Sequence, residues 1–114
     1  MQNLSSPMRI PIPNHTGIDF IPINTILYCH SDGNFTRVHL EKNKLVVSRN
    51  LKQMEAQLSK HNFIRIHHQY LVNANHIVRY ERGDGGCIRI STGDELPVSR
   101  DGKKKFMEKL KDWV

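Results

Sequence analysis

Phe63-Ile64-Arg65-Ile66-His67-His68-Gln69-Tyr70-Leu71-Val72-Asn73 is the stretch whose reading decides the fold. It holds two short runs rich in β-branched, aromatic and aliphatic residues, Phe63–His67 and Tyr70–Asn73, with His68 in the loop between them. A third strand is expected over residues 76–80, and Arg82-Gly83-Asp84-Gly85-Gly86 is turn-forming. Residues 87–91 and 95–99 then form a closing hairpin around Thr92-Gly93-Asp94. The period changes over residues 103–113. Phe106, Met107, Leu110 and Trp113 make one stripe of a helix, with lysines around the rest and Asp101 as its expected cap.

Upstream of that stretch the chain is also strand-rich. Residues 1–9 read as a polar tail or linker. Ile10 and Ile12 alternate with Pro11 and Pro13, which suits an edge strand and excludes a central one. Residues 18–21 pair with it across a turn at 14–17, and a third run follows at 26–30. Ser31-Asp32-Gly33-Asn34 is a strong turn, followed by strict alternation over Phe35–Leu40. There Thr36, Val38 and Leu40 share the core face, while Phe35, Arg37 and His39 share the other. Residues 41–43 turn the chain into a partner strand at 45–48. One helix is expected over residues 51–61, with Asn50 as N-cap, Gln53 as the return arm of a capping box, and Leu51, Met54 and Leu58 on one face. The fold class is therefore mainly β: several small packed antiparallel sheets of short strands, one short internal helix and a C-terminal helix.

At 114 residues, with 38% hydrophobic and 25% charged residues, the chain fits one ordinary domain, taken as residues 10–114. No apolar stretch reaches the roughly 18–20 residues that cross a bilayer, and the N-terminus does not read as a signal peptide. Cys29 and Cys87 form no paired motif and read as small reduced core residues, which suits the cytoplasm. Seventeen Lys and Arg against eleven Asp and Glu give a net charge of +6, which favours a polyanionic partner without naming it. No phosphate-binding glycine loop, zinc-protease helix motif or nucleophile elbow is present, so the chain reads as a non-enzyme. Paired histidines can cleave phosphodiesters by acid–base catalysis, but no spacing singles out two of the seven.

Four blocks in order resemble the LytTR-type DNA-binding domain, the output half of bacterial response regulators. They are Ser31-Asp32-Gly33-Asn34-Phe35-Thr36, Val47-Ser48-Arg49-Asn50-Leu51, the opening stretch in its form Phe-x-Arg-x-His-x-x-aromatic-hydrophobic-Val-Asn, and Pro97-Val98-Ser99-Arg100. The resemblance runs from Ile10 to Leu110. It implies sequence-specific binding of double-stranded promoter DNA by loops inserted into successive grooves, with no recognition helix, no cofactor and no membrane. It also implies a homodimer on tandem repeat sites and, in a full-length two-component regulator, fusion to a receiver domain. At this length there is no room for a receiver, so the chain is expected to be an effector half or a stand-alone regulator.

The candidate base contacts are Asn34, Phe35, Arg37, His68 and Arg100. Arg100, expected at the end of a strand just before the terminal helix, can bond bidentately to guanine, and Asn34 to adenine. The bland alternatives are an Arg100 paired with Asp101 or Glu95, and a Phe35 packed beneath its hairpin. Candidate phosphate contacts are Arg49, Lys52, Arg65, His67, Lys103 and Lys104; His67 has the competing role of locking its loop by hydrogen bonding. Neighbouring His67 and His68 are expected to point to opposite faces of a strand, which argues against a metal site. An RNA-binding or protein-interaction β module is the alternative reading. It is disfavoured because aromatics are 7% and Phe20, Phe63 and Trp113 look committed to packing.

Overall fold

The computed structural model describes residues 8–83 and 85–113. Most of the expected tail, and Asp84 of the expected turn, lie outside them. β1 (Arg9–Asn14) and β2 (Gly17–Pro22) form an antiparallel ribbon of their own. Such a ribbon tolerates Pro11 and Pro13, because a strand with a free edge leaves alternate N–H groups unpaired anyway. Its turn is closed by Asn14, whose Oδ1 accepts the N–H groups of Thr16 and Gly17, each at 3.0 Å.

β3 (Ile26–Asp32), β4 (Phe35–Leu40), β5 (Lys44–Val47), β6 (Phe63–His67) and β7 (Tyr70–Asn73) make a five-stranded antiparallel sheet in the order β5-β4-β3-β7-β6. β8 (Ile77–Glu81), β9 (Cys87–Ile90) and β10 (Glu95–Pro97) make a three-stranded one. α1 (Leu51–Leu58) links β5 to β6, and α2 (Arg100–Trp113) follows β10. The whole is a slab of 43 × 42 × 24 Å.

The central sheet has apolar side chains on both faces, and each face has its own cover. Cys29, Val38, Val47, Phe63 and Leu71 pack on Leu51, Met54 and Leu58 of α1 and on Ile10 and Ile12 of the ribbon. Tyr28, Ile64 and Val72 pack on Ile88, Ile90 and Leu96 of the small sheet, on Val98 just beyond it and on Phe106 of α2. Each fully buried aliphatic or aromatic side chain here contributes about 1.5–3 kcal/mol. The expected alternation along β4 holds: Thr36 and Val38 are buried, and Phe35 and Arg37 are exposed.

The capping box on α1 is present in full, with Asn50 Oδ1 accepting the Gln53 N–H at 2.8 Å and Gln53 Oε1 accepting the Asn50 N–H at 2.9 Å. The helix is shorter than expected. After Leu58 it tightens to a 3₁₀ turn, Ser59–His61, and ends at Asn62, whose φ of 69° is left-handed. α2 is longer than expected at its start, because Ser99 and not Asp101 caps it. Ser99 Oγ accepts the Gly102 N–H at 2.9 Å, and its carbonyl accepts the Lys103 N–H at 2.8 Å. Asp101 sits inside the first turn, where its charge complements the helix dipole.

Packing also departs from expectation at three side chains. Phe20 is 60% exposed, since it faces Pro11 on the outer side of the ribbon, and Trp113 is half exposed with an edge against Phe106. Both cysteines are free, but only Cys29 is buried, while Cys87 is partly covered. Burial pushes the Cys29 thiol up to about 12, so it stays protonated.

Asn73 is the polar tie of the core. Fully buried, it donates from Nδ2 to the Ile26 carbonyl at 2.9 Å and accepts the Asn75 N–H at 3.0 Å. Asn73→Leu orphans both backbone groups, so urea unfolding should show a loss of about 2–4 kcal/mol at an unchanged m-value.

Candidate nucleic-acid interface

Antiparallel pairing decides where the candidate residues go. The β3–β4 turn, the end of β5 and the β6–β7 turn all lie at the same end of the five-stranded sheet. The β3–β4 turn is tighter than expected: Ser31 pairs with Thr36 and Asp32 with Phe35, leaving only Gly33 and Asn34. Gly33 has φ +62°, the left-handed conformation that a two-residue hairpin opening on glycine requires. Asn34 is thus at the tip and Phe35, half exposed, at the shoulder. Arg37 lies on the same sheet face, paired with Asp32 at 2.9 Å, both about half exposed. Such a pair is worth about 0–1 kcal/mol and yields easily to a stronger anion.

The β6–β7 turn consists of His68 and Gln69. His67 Nδ1 accepts the Gln69 N–H at 3.1 Å, so this histidine locks the loop, as one of its two expected roles requires. The Gln69 carbonyl accepts the Ser31 N–H at 3.0 Å, tying this turn to the neighbouring one. The expectation that His67 and His68 point apart fails. Their rings stack at 4.2 Å, because the register between β6 and β7 shifts after Arg65 and His68 has already left the strand. Among the described residues no group of three or more His, Cys, Asp or Glu gathers as a metal site.

α2 completes the edge. The Ser99 N–H donates to the Ile66 carbonyl at 2.8 Å, which sets Arg100 beside the β6–β7 turn. Arg100 is the first residue of the helix and not the last of a strand; exposed, it joins no ion pair among the described residues. It lines a groove with His67, His68, Asp101 and Lys105. Lys103 and Lys104 are exposed at positions three and four after it, on the same side of the helix. The approach is close enough that Gly102, buried, has no room for a side chain: a Cβ there would lie 1.8 Å from the Ile66 carbonyl oxygen.

The remaining candidates divide. Lys52 is exposed in the first turn of α1, and Arg49 is partly buried at the same sheet end, 3.4 Å from Gln57 Oε1. Arg65 is engaged inside the protein: its guanidinium pairs with Glu55 at 2.7 Å and donates to the carbonyls of His67 and His68. Gln69 and Lys105, which sequence reasoning did not single out, also border this edge. No local pattern marked them, since Gln69 is one polar loop residue and Lys105 one of three adjacent lysines.

The family model described as the LytTr DNA-binding domain matches residues 16–111. The chain belongs to this family. It is 26% identical over 95 residues to the CO-responsive transcriptional regulator RcoM of Rhodospirillum rubrum, covering 81% of this chain and 40% of that protein. It is 31% identical over 104 residues to a response regulatory protein of Yersinia pestis, covering 90% and 42%. Against the sensory transduction protein LytT of Oceanobacillus iheyensis it is 27% identical over 113 residues, covering 95% and 42%. The chain thus spans about two fifths of the length of these relatives. A solved LytTr DNA-binding domain from Bacillus cereus superposes with a TM-score of 0.77 at 23% identity, covering 92% of this chain and 98% of that one, so the two share the fold. This LytTR domain has no helix among its described residues long and apolar enough to cross a membrane.

Behind the edge, rings continue along the sheet face that carries Tyr28. Tyr28 stacks on His39 at 4.1 Å and His30 on Tyr70 at 4.6 Å. His39 Nε2 is buried with no hydrogen-bond partner among the described residues. Burial, helped by the nearby Lys44 and His30 charges, lowers its pKa from 6.5 to about 4. The unfolded chain therefore takes up this proton first, so stability present above pH 6.5 falls as the pH drops towards 4. His39→Phe keeps the stack and removes the titration; its urea midpoint should fall less than the parent's between pH 7.5 and 4.5.

Proposed function

We propose that this LytTR domain reads duplex DNA sequence with the sheet edge just described, and that it is the output part of a longer bacterial transcription regulator. The observation that carries the reading is the convergence of the β3–β4 turn, the β6–β7 turn and the start of α2 on one edge, joined by the Ser31–Gln69 and Ser99–Ile66 backbone hydrogen bonds. Asn34 and Phe35 enter one groove, His68 the next, and Arg100 a third, with Arg37 released from Asp32 to base or phosphate. Lys52, Lys103, Lys104 and Arg49 supply phosphate contacts that set the register, and the net charge of +6 supplies the general attraction. No helix lies along a groove in this arrangement; α2 contributes only its first turn.

Three relatives that are named as regulators or signal transducers, each more than twice as long as the matched region, support fusion to a sensing or receiver part. The proposal adds cytoplasmic work on promoters as a homodimer. Selection from a randomised duplex library tests the central claim. An enriched motif bound far more tightly than random duplex supports it, whereas salt-sensitive binding without sequence preference overturns it. Band shifts on one and two copies of the motif then report the dimer.

A further inference from the structure

Arg65 is the most fully engaged cation at the edge. Its Nη1 donates to Glu55 Oε1 at 2.7 Å, its Nε to the His67 carbonyl at 2.9 Å and its Nη2 to the His68 carbonyl at 2.6 Å. Its side chain is only 19% exposed. A guanidinium spread over a carboxylate and two consecutive carbonyls has a fixed plane and little left to offer a phosphate. Glu55, on α1, also lies 3.8 Å from Lys105 Nζ on α2. One carboxylate therefore stands between the two elements that carry His68 and Arg100, held to the first by Arg65 and to the second by Lys105.

We propose that Glu55 and Arg65 are positioning residues, a brace that sets the backbone of the β6–β7 turn relative to the start of α2 and so fixes the spacing between His68 and Arg100. The proposal rests on the DNA-reading function above. It assigns Arg65 to shaping the reader and not to contacting the nucleic acid. It also gives Glu55, an acid beside a surface that must attract polyanions, a reason to be there: alone it only repels DNA, and in the brace it holds the arginine that holds the turn.

The two roles of these residues differ in sign or in kind. If Arg65 touched phosphate, Arg65→Lys would keep most of the binding, and removing the cation would flatten the salt dependence by roughly 0.9 in log–log slope. As a brace, Arg65→Lys cannot serve a carboxylate and two carbonyls at once, and discrimination should fall although the charge is kept. Glu55→Ala removes a negative charge, so electrostatics alone tightens binding to every duplex; the brace requires the selected duplex to bind more weakly.

The experiment measures affinities of the parent, Arg65→Lys and Glu55→Ala for a duplex selected by the parent and for a random duplex of the same length, across a salt series. Amide spectra of His68 and Gln69 and thermal melts are recorded beside them. The expected result is a fall of about tenfold in the ratio of selected to random affinity for both variants, with shifted His68 and Gln69 amides. An unchanged ratio, whether both affinities hold or both fall equally, overturns the brace. Should Arg65→Lys melt below the assay temperature, Glu55→Ala, at a half-buried helix position where alanine is favoured, decides alone. A parent that shows no preference for any duplex overturns the reading function itself, and is seen before any variant is made.

Discussion

Gly102→Ala is expected to cost this domain both stability and sequence-specific binding. A helix interior normally gains about 1 kcal/mol when glycine becomes alanine. Here the new methyl would start 1.8 Å from the Ile66 carbonyl oxygen, and the obstacle is backbone, which cannot rotate aside. α2 must lift from β6 by more than an ångström, straining the Ser99–Ile66 hydrogen bond and the packing of Phe106. Overpacking of this kind costs about 1–3 kcal/mol or more, so the helix gain is offset and exceeded. Arg100 moves with the helix while His68 stays with β6, and the relation between them is lost. Urea unfolding together with a band shift on a selected duplex checks this. A variant as stable and as selective as the parent would mean that α2 does not lie against β6 as described.

Arg100→Ala should do the reverse: leave folding alone and remove discrimination. The side chain is exposed at the helix start and joins no ion pair among the described residues, so its loss should change stability by less than about 0.5 kcal/mol. A bidentate arginine–guanine contact discriminates by about 1–3 kcal/mol, and this is the expected loss on the selected duplex, concentrated at one base position. Lys104→Ala, by contrast, should weaken all duplexes alike and reduce the salt slope by roughly one phosphate. A uniform, salt-linked effect of Arg100→Ala would move that residue from base to backbone.

Strand periodicity and turn residues made most of the architecture legible in the sequence. The Pro11 and Pro13 alternation marks a ribbon, and strict alternation marks the two faces of β4. Asn50 and Gln53 state where α1 begins, because capping is a local hydrogen-bond problem solved within four residues. What stayed hidden depends on partners distant in sequence. Arg65 looks like any surface cation until the fold brings Glu55 to it, ten residues upstream and on another element. Gly102 looks like a weak spot in a lysine-rich helix until Ile66 is found beneath it. Ser99 and Asp101 are both good caps in isolation; the bond from the Ser99 N–H to Ile66 decides between them. The stacking of His67 on His68 follows from a register shift that alternation alone does not encode. The four blocks of the family pattern brought out Asn34, His68 and Arg100 as separate candidates; their convergence on one edge comes from the sheet topology and, for Arg100, from the Ser99–Ile66 bond.

The backbone of the β6–β7 turn is held by hydrogen bonds from or to His67, Ser31 and Arg65, and among the described residues the side chains at its tip, His68 and Gln69, add no hydrogen bond to that frame, His68 only stacking on His67. Inheritance can therefore treat the loop as two separate things. The frame must be passed on whole, because each of its bonds fixes another, while the letters at the tip can be exchanged one at a time without an unfolded ancestor in between. If the tip reads bases as proposed, a new preference needs a change only there, and its first step is a single codon.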